Sequence, residues 1–199
     1  MTPLDEGLVL QDMTGWLERA VIGLNLCPFA KAVHVKKQIH WQLSLATQEG
    51  DVLDALRQEL TDLAAASATE RDTTVLVLPL AWPEFLEMHA FLPRAERTLR
   101  QMGFEGVFQM APFHPRFEFF DAPPDDPGHR VNRAPYPALH LLREDSIARA
   151  VAAFPEAEAI YERNLALLRE MGNAGWQALG VGPHLGLSPF DGQETKLCE

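Results

Sequence analysis

Residues 132–144, NRAPYPALHLLRE, gather an asparagine, two arginines, a tyrosine, a histidine and a glutamate around two prolines. Two shorter stretches carry further reactive side chains: FHPRFEF (113–119) with His114, and NLCPFA (25–30) with Cys27. An imidazole can take up or release a proton near neutral pH. A guanidinium matches a carboxylate or phosphate with two parallel hydrogen bonds, and a thiol can act as a nucleophile when deprotonated. On these types His114, His140 and Cys27 are candidate catalytic groups, while Asn132, Arg133, Tyr136 and Arg143 are candidates for holding a small anionic molecule. The set suits a histidine-dependent enzyme or a ligand-binding protein.

Two other arrangements use the same residues. In one, the protein is a non-catalytic interaction protein whose polar groups bond internally and lock a proline-rich loop, because a buried imidazole or guanidinium needs a partner. In the other, His114 and His140 join a carboxylate from Asp121, Asp125, Asp126 or Glu144 as a two-histidine, one-carboxylate metal site, making the enzyme metal-dependent. Spacing adds nothing to the metal reading: no His-x-x-x-His, Glu-x-x-His or Cys-x-x-Cys occurs. Cys27 has a structural reading as well, as a small apolar side chain at the end of a helix, where the dipole disfavours a thiolate.

Which elements would position these groups follows from the apolar periodicity. Met13, Trp16, Leu17, Ala20, Val21 and Leu24 recur at helical steps and predict a helix over 8–24 that Pro28 ends. IHWQLSLA (39–46) alternates as a half-buried strand, and Leu53, Leu56, Leu60 and Leu63 mark a helix from the Asp51 cap to about residue 66. TTVLVLPL (73–80) is a continuous β-branched and apolar run, as a central strand covered on both faces should be. A helix opening at Pro83 and interrupted at Pro93 runs to Gly103, and strands follow at 106–113 and 138–143. Asp145 or Ser146 caps one more helix, and Pro155 begins another that ends at Met171. Seven of the fifteen prolines fall within 112–137, so regular structure there must be short.

Alternating helices and strands predict an α/β (α+β) two-layer sandwich, with a mixed sheet of four to five strands and helices packed on it; a ferredoxin-like arrangement is one form it takes. The 199 residues fit a single domain, with 112–137 as a proline-rich loop and 172–199 as an irregular C-terminal segment. The net charge of -11 gives no global attraction to nucleic acid or an anionic membrane. No Gly-x-Gly-x-x-Gly or Walker sequence indicates a nucleotide, so the cofactor is open, with a divalent metal among the options. Acidic residues in the first thirty, no long apolar run and two distant cysteines, Cys27 and Cys198, lead us to expect a cytoplasmic protein.

Together NLCPFA, GVFQMAPFHPRFEF and NRAPYPALHLLRE resemble the bacterial family catalogued as domain of unknown function 1415. The resemblance spans most of the chain and implies a cytoplasmic bacterial protein without fixing an activity. It singles out Asn25, Cys27, Pro28, His114, Pro115, Asn132, Arg133, Tyr136, His140 and Arg143. Arg116 and Glu118 fall on its variable positions, and Arg130 lies in a segment that departs from its pattern.

Overall fold

The computed structural model describes residues 4–153 and 159–184. At its centre is Thr73–Val77 (β2), five residues all buried, as a β-branched and apolar run without alternation requires. It pairs in parallel with Ile39–Leu43 (β1) and antiparallel with Ala138–Arg143 (β4), which pairs antiparallel with Phe108–Phe113 (β3). The sheet order is β1-β2-β4-β3. This is a mixed four-stranded sheet in an α+β sandwich, as expected. Its strands and the helices between them run βαβαββ along the chain, whereas a ferredoxin-like domain runs βαββαβ.

Side chains alternate across the strands, and helices meet both faces, so the sheet lies between two helical layers where a two-layer sandwich was expected. On one face Leu76, Leu139 and Leu141 are fully buried beneath Leu56, Leu60 and Leu63 of Glu49–Ala65 (α3) and Phe91 of Phe85–Gln101 (α4). Each such leucine contributes roughly 1.5–3 kcal/mol of transfer free energy. On the other face Val75, Val77 and Ala138 pack with Val9, Met13 and Trp16 of Glu6–Trp16 (α1). This second face also takes up Tyr136, Phe113 and Trp176.

Several boundaries differ from those expected. The first helix becomes a π-helical turn over Leu17–Ile22 and ends there, six residues before Pro28, and a short helix not foreseen follows at Ala30–Val35 (α2). The first strand stops at Leu43. Pro93 leaves α4 unbroken, because it lies on the exposed side of the helix, where water can satisfy the carbonyl its ring cannot serve. The helix Glu144–Ala152 (α5) begins at Glu144, since the Ser146 hydroxyl is used on Asp72 Oδ1 at 2.6 Å instead of on a cap.

The last helix, Ala159–Ala178 (α6), kinks where it was expected to end, at Gly172 with φ 62°, and then continues. Residues 173–178 are therefore helical, which corrects the reading of 172–199 as irregular. Cys198, the remaining residues beyond His184, and the Pro155 helix start lie outside the described residues. The proline-rich loop contains a 3-10 turn, Pro127–Val131, whose Asp126 cap accepts from Gly128 N at 2.8 Å. No helix among the described residues is long and apolar enough to cross a membrane.

Candidate active site

Most of the polar residues picked from the sequence are spent on backbone groups. His114 follows β3 and is fully buried; its Nδ1 accepts from the Arg116 amide at 3.0 Å, so Nε2 carries the proton and donates to the Trp82 carbonyl at 2.9 Å. Burial holds its pKa below the ordinary histidine value, against the pull of the Trp82 bond. Asn132 donates to Pro112 O at 3.2 Å, and Arg133 Nε donates to Phe117 O at 2.9 Å with Glu118 4.0 Å from Nη2. His129, also fully buried, repeats the His114 pattern: Nδ1 accepts from Phe119 N at 3.1 Å and Nε2 reaches Pro123 O at 2.7 Å.

His140 and Arg143 leave β4 on opposite faces. Arg143 Nη2 donates to the carbonyls of Leu63 at 2.6 Å and Ala66 at 2.7 Å, closing the C-terminus of α3, and its guanidinium lies over the Phe108 ring. The His140 imidazole stands on the α1 face, with Nε2 2.7 Å from Thr73 Oγ1. The Thr73 hydroxyl donates to Leu141 O at 2.5 Å and so accepts from His140. Burial lowers the His140 pKa to about 4. Because His114 turns toward Trp82 and Phe85 on the α4 side, the two histidines do not meet. No group of three His, Cys, Asp or Glu residues among the described residues is placed to hold a metal ion.

Cys27 lies between the π-helical turn and α2, not at a helix C-terminus as expected. Burial pushes its thiol up, while hydrogen bonds from the Phe29 and Ala30 amides pull the other way. No described imidazole hydrogen-bonds to it.

The arrangement with the most chemical capacity was not foreseen from the sequence. Asp12, on the inner side of α1 and 5% exposed, accepts at Oδ2 from the Tyr136 hydroxyl at 2.9 Å and from the His184 amide at 2.8 Å. Its Oδ1 hydrogen-bonds to Nδ1 of His184. Since an ionised carboxylate only accepts, it fixes the proton of a neutral His184 on Nδ1 and leaves Nε2 unprotonated. His184 is half exposed, and Nε2 has no partner among the described residues. Burial, then the bond to Asp12 and its charge, push the Tyr136 phenol far above its usual range, so it stays a donor.

Three elements bring these groups together. Asp12 shares a face of α1 with Trp16, four residues on. Tyr136 is fixed by the run into β4, and His184 is reached through Leu179 and Gly180, whose carbonyls accept from Arg19 Nε and Nη2, each at 2.9 Å. Two donors on this side are buried without an acceptor among the described residues: Trp16 Nε1 and Arg130 Nη1. Arg130 is anchored by Asn173 and by the Trp176 ring, 5.5 Å away. Desolvation depresses its pKa, and no carboxylate among the described residues pairs with it.

Of the residues picked from the sequence, only Tyr136 belongs to this arrangement. Asp12 left a signal, a carboxylate among Val9, Met13 and Trp16 on the buried stripe of an amphipathic helix. His184 left little, being one histidine in a glycine-rich tail. The family model described as "Protein of unknown function (DUF1415)" matches residues 8–178. No curated protein and no solved structure matches the chain.

Proposed function

We propose that this chain, which belongs to the DUF1415 family, is a cytoplasmic bacterial enzyme using His184 as a general acid–base on a small anionic molecule, a carboxylate or a phosphate. The observation that carries the reading is the Asp12–His184 pair: a buried carboxylate orients an imidazole whose second nitrogen has no partner among the described residues. Nε2 takes a proton from the substrate, and Asp12 steadies the imidazolium that forms. Tyr136 holds Asp12 in place by donating to it. Arg130 Nη1 and Trp16 Nε1, buried donors without an acceptor among the described residues, would hold the anion.

A second reading is favoured by the bonds of His114, Asn132, Arg133 and Arg143 to main-chain carbonyls. Under it, His114, Asn132 and Arg133 lock the proline-rich loop, Arg143 pins the chain after α3, and the protein works by binding a partner. The two readings part on a panel of small carboxylates and phosphate monoesters tested for binding and turnover. Acid–base function predicts at least one ligand whose binding weakens in Arg130→Gln and whose turnover stops in His184→Gln. Absence of any response across the panel favours the lock.

A further inference from the structure

On the α4 side, away from Asp12 and His184, a cleft of about 390 Å³ opens between α4, the end of β3 and the loop after it. That size is in the range of small-molecule sites. His89, Leu92 and Pro112 line the cleft together with four phenylalanines, Phe85, Phe117, Phe119 and Phe120. Their rings contact one another, with centroids 4.7 Å apart for Phe85 and Phe117 and 5.0 Å for Phe117 and Phe119. Phe120 is 69% exposed and meets the His89 ring edge-on at 4.8 Å. Isolated exposure of so large an apolar ring costs hydrophobic free energy that covering by a ligand recovers.

The charge of the cleft selects what covers it. Glu118 and Asp121 line it, and no lysine or arginine among the described residues does. Arg133 approaches Glu118 from beside the cleft, at 4.0 Å, while Asp121 has no ion pair among the described residues. Aromatic faces carry negative potential and attract cations, most strongly those that are bulky and weakly hydrated. Two carboxylates beside four such rings repel an anion and favour a cation with an apolar jacket.

We infer that this cleft binds a small quaternary or alkylated ammonium compound, its methyl groups against the phenylalanines and its charge balanced by Asp121 and Glu118. The site is separate from that of the proposed acid–base chemistry and does not depend on it. Choline and its neutral isostere 3,3-dimethylbutan-1-ol, titrated into the full-length protein by NMR, test it. Choline should perturb the Phe120 and His89 signals and bind more tightly than the neutral isostere. Phe120→Ala should weaken choline about two- to fivefold, the worth of one exposed cation–π contact, with an unchanged melting temperature. Asp121→Asn should weaken choline without affecting the alcohol. Equal binding of the two compounds, or no perturbation of Phe120 and His89 by choline, overturns the inference.

Discussion

Nε2 of His114 lies 2.9 Å from the carbonyl of Trp82, a residue with φ of 51° immediately before Pro83. A bulky side chain in the left-handed region is strained, and a following proline disfavours that conformation further. His114 helps hold the strained turn in place and, through Nδ1, the start of the proline-rich loop as well. His114→Ala should therefore destabilise the protein by about 1–3 kcal/mol, because it strands the buried Trp82 carbonyl and leaves the part-buried Arg116 amide without its acceptor. Urea unfolding reads this directly; a loss below about 0.5 kcal/mol, the size of an ordinary surface change, would remove His114 from the scaffold.

His140 makes stability depend on pH. Its folded pKa, about 4, lies below the ordinary histidine value of 6.5, so the unfolded chain binds the proton more readily. The protein should lose stability as pH falls from about 6.5 to about 4, by roughly 3 kcal/mol in all, at 1.36 kcal/mol per unit. Below that window the contribution is constant. Comparing wild type with His140→Gln between pH 7 and 4 isolates the effect, since glutamine does not titrate; parallel curves would show that His140 is not the cause.

Arg143 should prove structural rather than ligand-binding. It gathers the carbonyls of Leu63, Ala66 and Arg71 at the end of α3. Arg143→Ala should cost about 1.5–3 kcal/mol, as expected for hydrogen bonds from a charged donor. Lysine should restore only part of the loss, because an ammonium lacks the planar fork. Full rescue in Arg143→Lys, measured by thermal unfolding, would contradict that geometry.

Tyr136→Phe removes one donor from a buried carboxylate while filling the same space. We expect a loss of about 1.5–3 kcal/mol in urea unfolding, together with looser seating of His184. A neutral result would mean that Asp12 does not depend on the phenol.

The fold was more legible than the site, and for a physical reason. β2 announced its central place because a strand covered on both faces reads as a continuous β-branched and apolar run without charged positions, and all five of its residues are buried. Alternation along β4 likewise separated His140 from Arg143. Boundaries were less secure where a tertiary bond overrode a local preference, as when Ser146 turned to Asp72 instead of capping α5. Site residues were hardest because chemical type does not reveal a partner. His114 and Arg133 have the side chains of a reaction centre, yet they bond to the carbonyls of Trp82 and Phe117. Asp12 and His184 are 172 residues apart in sequence, and only the packing of α1 against the C-terminal segment brings them together.

The central claim is that Asp12 fixes the His184 imidazole with Nδ1 protonated and Nε2 open to an anionic substrate. Long-range ¹H–¹⁵N NMR of the His184 ring, in wild type and Asp12→Asn with and without the carboxylate and phosphate panel, tests it most directly. We predict the Nδ1–H tautomer in the neutral ring of wild type, its loss in Asp12→Asn, and a shift of the Nε2 resonance with at least one anion. An Nε2–H tautomer in wild type, or a ring that ignores both the Asp12 substitution and every anion tested, would contradict the account.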